Sequence, residues 1–144
     1  MKAITYLNEI KAMDARINAG IAELSRLKTL ATKTTSVIGD ERVQSSGSQQ
    51  KMADCVTKIV ALEEQITSEI DRYVDYKNEA RKMICKCDND CIDLLYKRYF
   101  ESKSWERISC EMDFTYKYVS GKLHRKALEQ LQHWLDLREV KVLE

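Results

Sequence analysis

Two long stretches of this chain repeat their apolar residues every seven positions, and that repeat leaves little choice of fold. In residues 3–31, Ala3, Ile10, Ile17, Leu24 and Ala31 form one series, and Tyr6, Met13 and Leu27 a second, three residues further on. Leu7 and Ile21 widen the stripe, and Gly20 interrupts the second series as a weak spot. In residues 49–83, Met52, Ile59, Ile66, Tyr73 and Ala80 recur in the same way, followed by Cys55, Leu62 and Tyr76, with Glu69 as the exception and Val56 and Ile70 broadening the stripe. Seven residues return to one face of an α-helix, whereas a strand alternates faces at every step. Proline, the strongest helix breaker, does not occur in the 144 residues. Each stretch is therefore predicted to be an amphipathic helix with a coiled-coil-like seam, on the order of 45–50 Å long at ~1.5 Å per residue.

Between them, residues 32–48 lose the pattern and gather β-branched, Ser and Gly residues, which predicts a loop. Ser46-Gly47-Ser48-Gln49 has capping-box spacing. The polar side chains of Gln44, Ser45, Ser46, Ser48 and Gln49 would cluster at the tip, either as a partner contact or, the favoured reading, simply as the cap that starts the second helix. Two long helices joined by a loop fold back as an antiparallel hairpin or pair with a second copy. The expectation is a helical arm over residues 1–84, with homo-oligomerisation through its apolar stripes.

Residues 85–91, CKCDNDC, form a polar break, and a second unit over residues 91–144 is predicted after it. A first helix, from about Cys91 to Phe100, turns Ile92, Leu95, Tyr96 and Tyr99 inward. A second runs from the N-cap Ser104 to Met112, with Trp105, Ile108 and Met112 at i, i+3 and i+7. Asp113 stands where a tight turn needs a left-handed residue, usually glycine. A third helix starts after the N-cap candidate Thr115 and continues to about Leu137, with Val119 and Leu123 returning to the core. Short helix, tight turn and following helix have the spacing of a helix-turn-helix. The fold class is thus all-α: a helical hairpin followed by a C-terminal helix-turn-helix with an extended last helix.

The formal net charge is +1, so nucleic-acid binding can come only from a local patch. No Asp or Glu lies between Asp113 and Glu129, while Lys117, Lys122, Arg125 and Lys126 all fall there. The predicted double-stranded-DNA-binding residues are Thr115, Tyr116, Lys117, Ser120, Gly121, Lys122, His124 and Arg125. Arg and Lys bridge phosphates or read guanine, and Ser, Tyr and His reach bases or backbone. Gly121 in mid-helix costs about 1 kcal/mol against alanine, which close approach to DNA or to another helix would explain.

The segment SWERISCEMDFTYKYVSGKLHRKAL resembles region four of bacterial sigma factors. Leu95, Arg98, Tyr99, Trp105, Ile108, Arg125, Ala127 and Leu128 fit that pattern. Arg107 replaces its usual Glu, Ser109 its usual Ala, and the Val119–Leu123 interval is one residue longer. Together with the heptad arm and the stretch ERVQSSGSQQKMADCVTKIVALEEQI, the chain resembles phage and prophage late transcription regulators of the RinA and ArpU type. Arg42 to Ser48 is the most specific element of that likeness. The resemblance implies transcriptional control of phage late genes in the cytoplasm of a bacterial host; the hairpin would set the oligomeric state or hold RNA polymerase. Two alternatives stand beside it: a sigma mimic that contacts RNA polymerase without reading DNA, and a packaging-type DNA recognition subunit.

Other chemistries find little support. Cys85, Cys87 and Cys91 invite a zinc reading with Cys110 or His124 as a fourth ligand, but the Cys85-x-Cys87 spacing is tight and no second pair follows, so no metal and no cofactor is expected. Five cysteines, an odd number, point to reduced thiols. His124 and His133 are nine apart and face differently, no phosphate loop or nucleophile motif occurs, and the chain is not expected to be an enzyme. The charged N-terminus speaks against a signal peptide, and no apolar run approaches the ~20 residues of a membrane helix, so a soluble protein without membrane partners is expected.

Overall fold

The computed structural model describes residues 1–40 and 46–144, and side chains outside residues 34–48. Among the described residues the fold is all-α, with five helices and no strand: α1 (Ala3–Asp40), α2 (Ser46–Ile84), α3 (Asn89–Leu95), α4 (Trp105–Met112) and α5 (His124–Leu143). Two π-helical stretches, Tyr96–Phe100 and Tyr118–Leu123, follow α3 and precede α5. No helix of the described residues is long and apolar enough to cross a membrane.

Both long helices run further than the heptads suggested: α1 continues to Asp40 and α2 begins at Ser46, inside the loop predicted over residues 32–48. Extending an existing helix needs no new nucleus, and Thr or Ser costs only tenths of a kcal/mol there. The threonine hydroxyls are absorbed as well, since Thr29 and Thr32 donate to the carbonyls of Ser25 and Lys28, one turn back. The Ser46–Gln49 capping box, the tip cluster and the Arg42–Ser48 stretch lie outside the described residues or side chains.

The chain divides into two compact units, Met1–Met13 with Tyr73–Glu144, and Asp14–Arg72. The sequence placed the division at the CKCDNDC break instead. That break is a turn: Lys86 and Cys87 N–H donate to the carbonyls of Met83 and Ile84, at 3.2 and 2.9 Å. Asp88 is then tied to α5, its N–H donating to Gln130 Oε1 (2.9 Å) and its carboxylate accepting from Gln130 Nε2 (2.8 Å) and Lys126 Nζ (3.0 Å).

In the first unit the core draws on every helix. Leu7 and Ile10 of α1, Ile84 of α2, Leu94 and Leu95 of α3, Ile108 of α4, and Leu131 and Leu135 of α5 are all fully buried. Each such side chain contributes about 1.5–3 kcal/mol of burial. Trp134 and Leu128 of α5 lie against this core, while Val140, Val142 and Leu143 further on are exposed. Gln132 clasps the N-terminus, accepting from Ala3 N–H (2.6 Å) and donating to Met1 O (3.0 Å).

In the second unit, segments of α1 and α2 run antiparallel, because the pairs Gly20–Ile66 and Leu27–Cys55 match rising numbers with falling ones. Gly20, expected as a weak spot, is a close-approach site. A Cβ there would sit 3.1 Å from Ile66 Cγ1, so the seam narrows around Ile66. Lys28 and Glu63 join the segments by a 3.0 Å ion pair.

Candidate nucleic-acid interface

The candidate interface is built by α4, the turn after it, and the helix that follows. Ser104 caps α4, its Oγ accepting from Arg107 N–H at 3.3 Å. Asp113 ends α4 in the left-handed region, φ 58 and ψ 34, where a β-branched residue would be strained. Thr115 caps the next helix as expected: Tyr118 N–H donates to its Oγ1 (3.2 Å) and Val119 N–H to its carbonyl (3.1 Å). The turn is closed by Phe114, whose ring meets Tyr118 edge-on at 5.0 Å.

Helical backbone then runs from Tyr116 into the π-helical stretch Tyr118–Leu123 and on through α5. The buried residues Val119, Leu123, Ala127, Leu131 and Leu135 fall four apart. At about 100° per residue, each such step overshoots a full α-turn by about 40°. A π turn, with i→i+5 hydrogen bonds, takes one more residue per closed ring and absorbs the first overshoot, so Val119 and Leu123 both face the core.

Opposite that stripe lie Lys117, Gly121 and Arg125, again four apart. Lys117 and Arg125 are exposed, as are Thr115, Tyr116 and Lys122. Among the described residues no carboxylate pairs with Lys117, Lys122 or Arg125, so an external phosphate would meet them without breaking an ion pair. Lys126 is different, because Asp88 already holds it. A Cβ on Gly121 would find nothing within 4 Å. No packing among the described residues therefore calls for glycine there.

Two predicted site residues are used internally. Ser120 is half-buried and its hydroxyl donates to the Tyr116 carbonyl at 2.8 Å. His124 does not face outward with the basic side chains. It is half-buried, shares a 2.8 Å hydrogen bond between its Nε2 and Tyr99 Oη, and meets the Trp105 ring edge-on at 4.8 Å. The wide turn carries it toward Tyr99, in the π-helical stretch after α3, and Trp105 of α4. Arg98 lies over the Trp105 ring, 4.4 Å from its centre, and Lys11 of α1 lies 5.2 Å over Tyr99. Sequence reasoning missed Lys11 here, because nothing local ties α1 to α5.

Burial, then the charges of Arg98 and Lys11, holds the His124 pKa below its ordinary value. The unfolded chain, with a pKa near 6.5, takes up a proton that the folded chain resists. Stability contributed by neutral His124 is thus full above about pH 6.5 and falls as the pH drops below it. Thermal melts should show the wild type losing more stability than His124→Gln between about pH 7.5 and 5.5. Parallel losses would mean that His124 titrates alike in both states.

The cysteines are distributed rather than gathered. Cys87 and Cys91 are buried, Cys85 and Cys110 exposed, and burial pushes the Cys87 thiol up to about 11. Among the described residues no three His, Cys, Asp or Glu side chains are placed to hold a metal ion. No protein-family model, curated protein or solved structure matches this chain.

Proposed function

We propose that this protein is a sequence-specific double-stranded-DNA-binding regulator of transcription, acting through a C-terminal helix-turn-helix carried on a helical hairpin. The first helix of the motif is α4, the turn is centred on Asp113, and the reading helix starts at Tyr116. Lys117 and Arg125 flank Gly121 on the groove side, with Lys122 beside them and Thr115 and Tyr116 near the backbone. The observation that carries this is the unpaired basic face set opposite the buried stripe Val119, Leu123 and Ala127, with an open glycine at its centre. A helix backbone bare at that point can approach base edges closely, while cations on either side reach phosphates or guanine.

The sigma region-four likeness and the phage late-regulator likeness point the same way, to late genes of a phage in its bacterial host. Ser120 and His124 take positioning parts, since their polar atoms are engaged within the fold.

Duplex DNA carrying phage promoter sequence, titrated with protein across a salt series, tests the proposal. Binding at low salt is expected, and log K should fall with log salt at a slope of roughly −0.9 for each phosphate that Lys117, Lys122 or Arg125 neutralises. Absence of any complex at low salt, with RNA polymerase retained by the same protein, would replace it with the sigma-mimic reading.

A further inference from the structure

The unit Asp14–Arg72 leaves four apolar side chains exposed on one of its faces, among polar ones. On α2, Val56 is 51% exposed, Val60 47% and Ile70 38%, and on α1, Ile21 is 47% exposed. They are not scattered. Val56, Val60, Glu63, Thr67 and Ile70 follow one another by four, three, four and three residues, the spacing of a heptad seam. Ile21, Ser25, Lys28 and Thr32 repeat the same spacing on α1 and line a shallow groove there. At about 100° per residue each series lies roughly a quarter turn from the seam that joins the two helices. The two series share one side of the pair, because Lys28 of one and Glu63 of the other meet at 3.0 Å.

We propose that a second copy of this chain covers that face, so that two such units pack into a four-helix bundle. Within the unit only Ile17 and Ile66 are buried among the described residues, and neither fully, which is little core for two long helices. A helix such as α2, with Val56, Val60 and Ile70 a quarter turn from its first seam and Ile21 of α1 on the same side, matches a bundle, in which each helix touches two neighbours. The complement of the face is a pair of heptad helices, and the chain itself supplies one in equal number. The charge pattern is self-complementary too. Lys28 and Glu63 offer both signs side by side, so a twofold-related copy presents an opposite charge to each. The pairing does not depend on DNA binding and is measured without DNA.

Sedimentation equilibrium of the full chain is expected to give about twice the 16.8 kDa chain mass at micromolar concentration. Val56→Lys with Val60→Lys, two positions already about half exposed, should bring the mass down to one chain with unchanged helical circular dichroism. Ala61→Lys, on the side of α2 away from both seams, should leave the doubled mass intact. A wild type that sediments as a single chain at about 100 μM, or a double variant that keeps the doubled mass, overturns the proposal. Loss of the doubled mass in Ala61→Lys as well would assign the contact to a different face and overturn it equally.

Discussion

Replacing Lys117 and Arg125 together with glutamate is expected to weaken binding to promoter duplex by roughly thirtyfold or more. Each contact from such a side chain to a base is worth about 1–3 kcal/mol, and losing two removes about 2–6 kcal/mol, with tenfold in affinity for every 1.4 kcal/mol. Reversing the sign adds repulsion from phosphate. The fold should not respond, because both side chains are exposed and neither pairs with a carboxylate among the described residues. Fluorescence anisotropy of a labelled duplex reads the affinity and circular dichroism the helix content. Lys126→Gln makes the matched control. That lysine is held by Asp88, so its loss should change affinity far less. Equal affinity of the double variant and the wild type would remove the helix after Asp113 from the DNA.

Leu131→Ala is expected to cost about 2–5 kcal/mol of stability. Leu131 has no exposed surface and belongs to the core that joins α5 to α1, α2, α3 and α4. Truncation leaves a cavity among neighbours drawn from several helices, which cannot all close on it. Typical domains hold only about 5–15 kcal/mol in total, so the loss is a large share. Leu137→Ala, six residues on and 41% exposed, should change stability by no more than about 0.5 kcal/mol. Urea unfolding followed by circular dichroism checks both. Equal midpoints for the two variants would mean that the tail does not pack where it is placed.

The same two substitutions mark how far local pattern reaches. The exposed basic series was legible because charge composition along one helix needs no knowledge of its neighbours. The caps at Ser104 and Thr115 and the left-handed Asp113 were legible for a similar reason: each is a contest between one residue and its own backbone. His124 was not. Its position among basic residues made it look like a reader, yet the wide turn over Tyr118–Leu123 swings it onto Tyr99 and Trp105. A π turn has no clear mark in the sequence, since the apolar spacing of four across it continues unchanged through the α-helix that follows.

By itself the sequence determined that this protein is helical, since two seven-residue repeats without proline bury an apolar stripe only as helices. It also determined the short helix, turn and helix near the C-terminus, whose signals are local. Only the tertiary structure decided that Met1–Met13 joins Tyr73–Glu144 in one unit, that Leu128, Leu131, Trp134 and Leu135 of the last helix are covered there, and that Gly20 is a point of contact with Ile66. Those outcomes depend on which apolar stripes find each other across long separations in the chain. An apolar stripe written in the sequence says that it must be covered, and the partner that covers it is chosen by shape and distance in the folded chain.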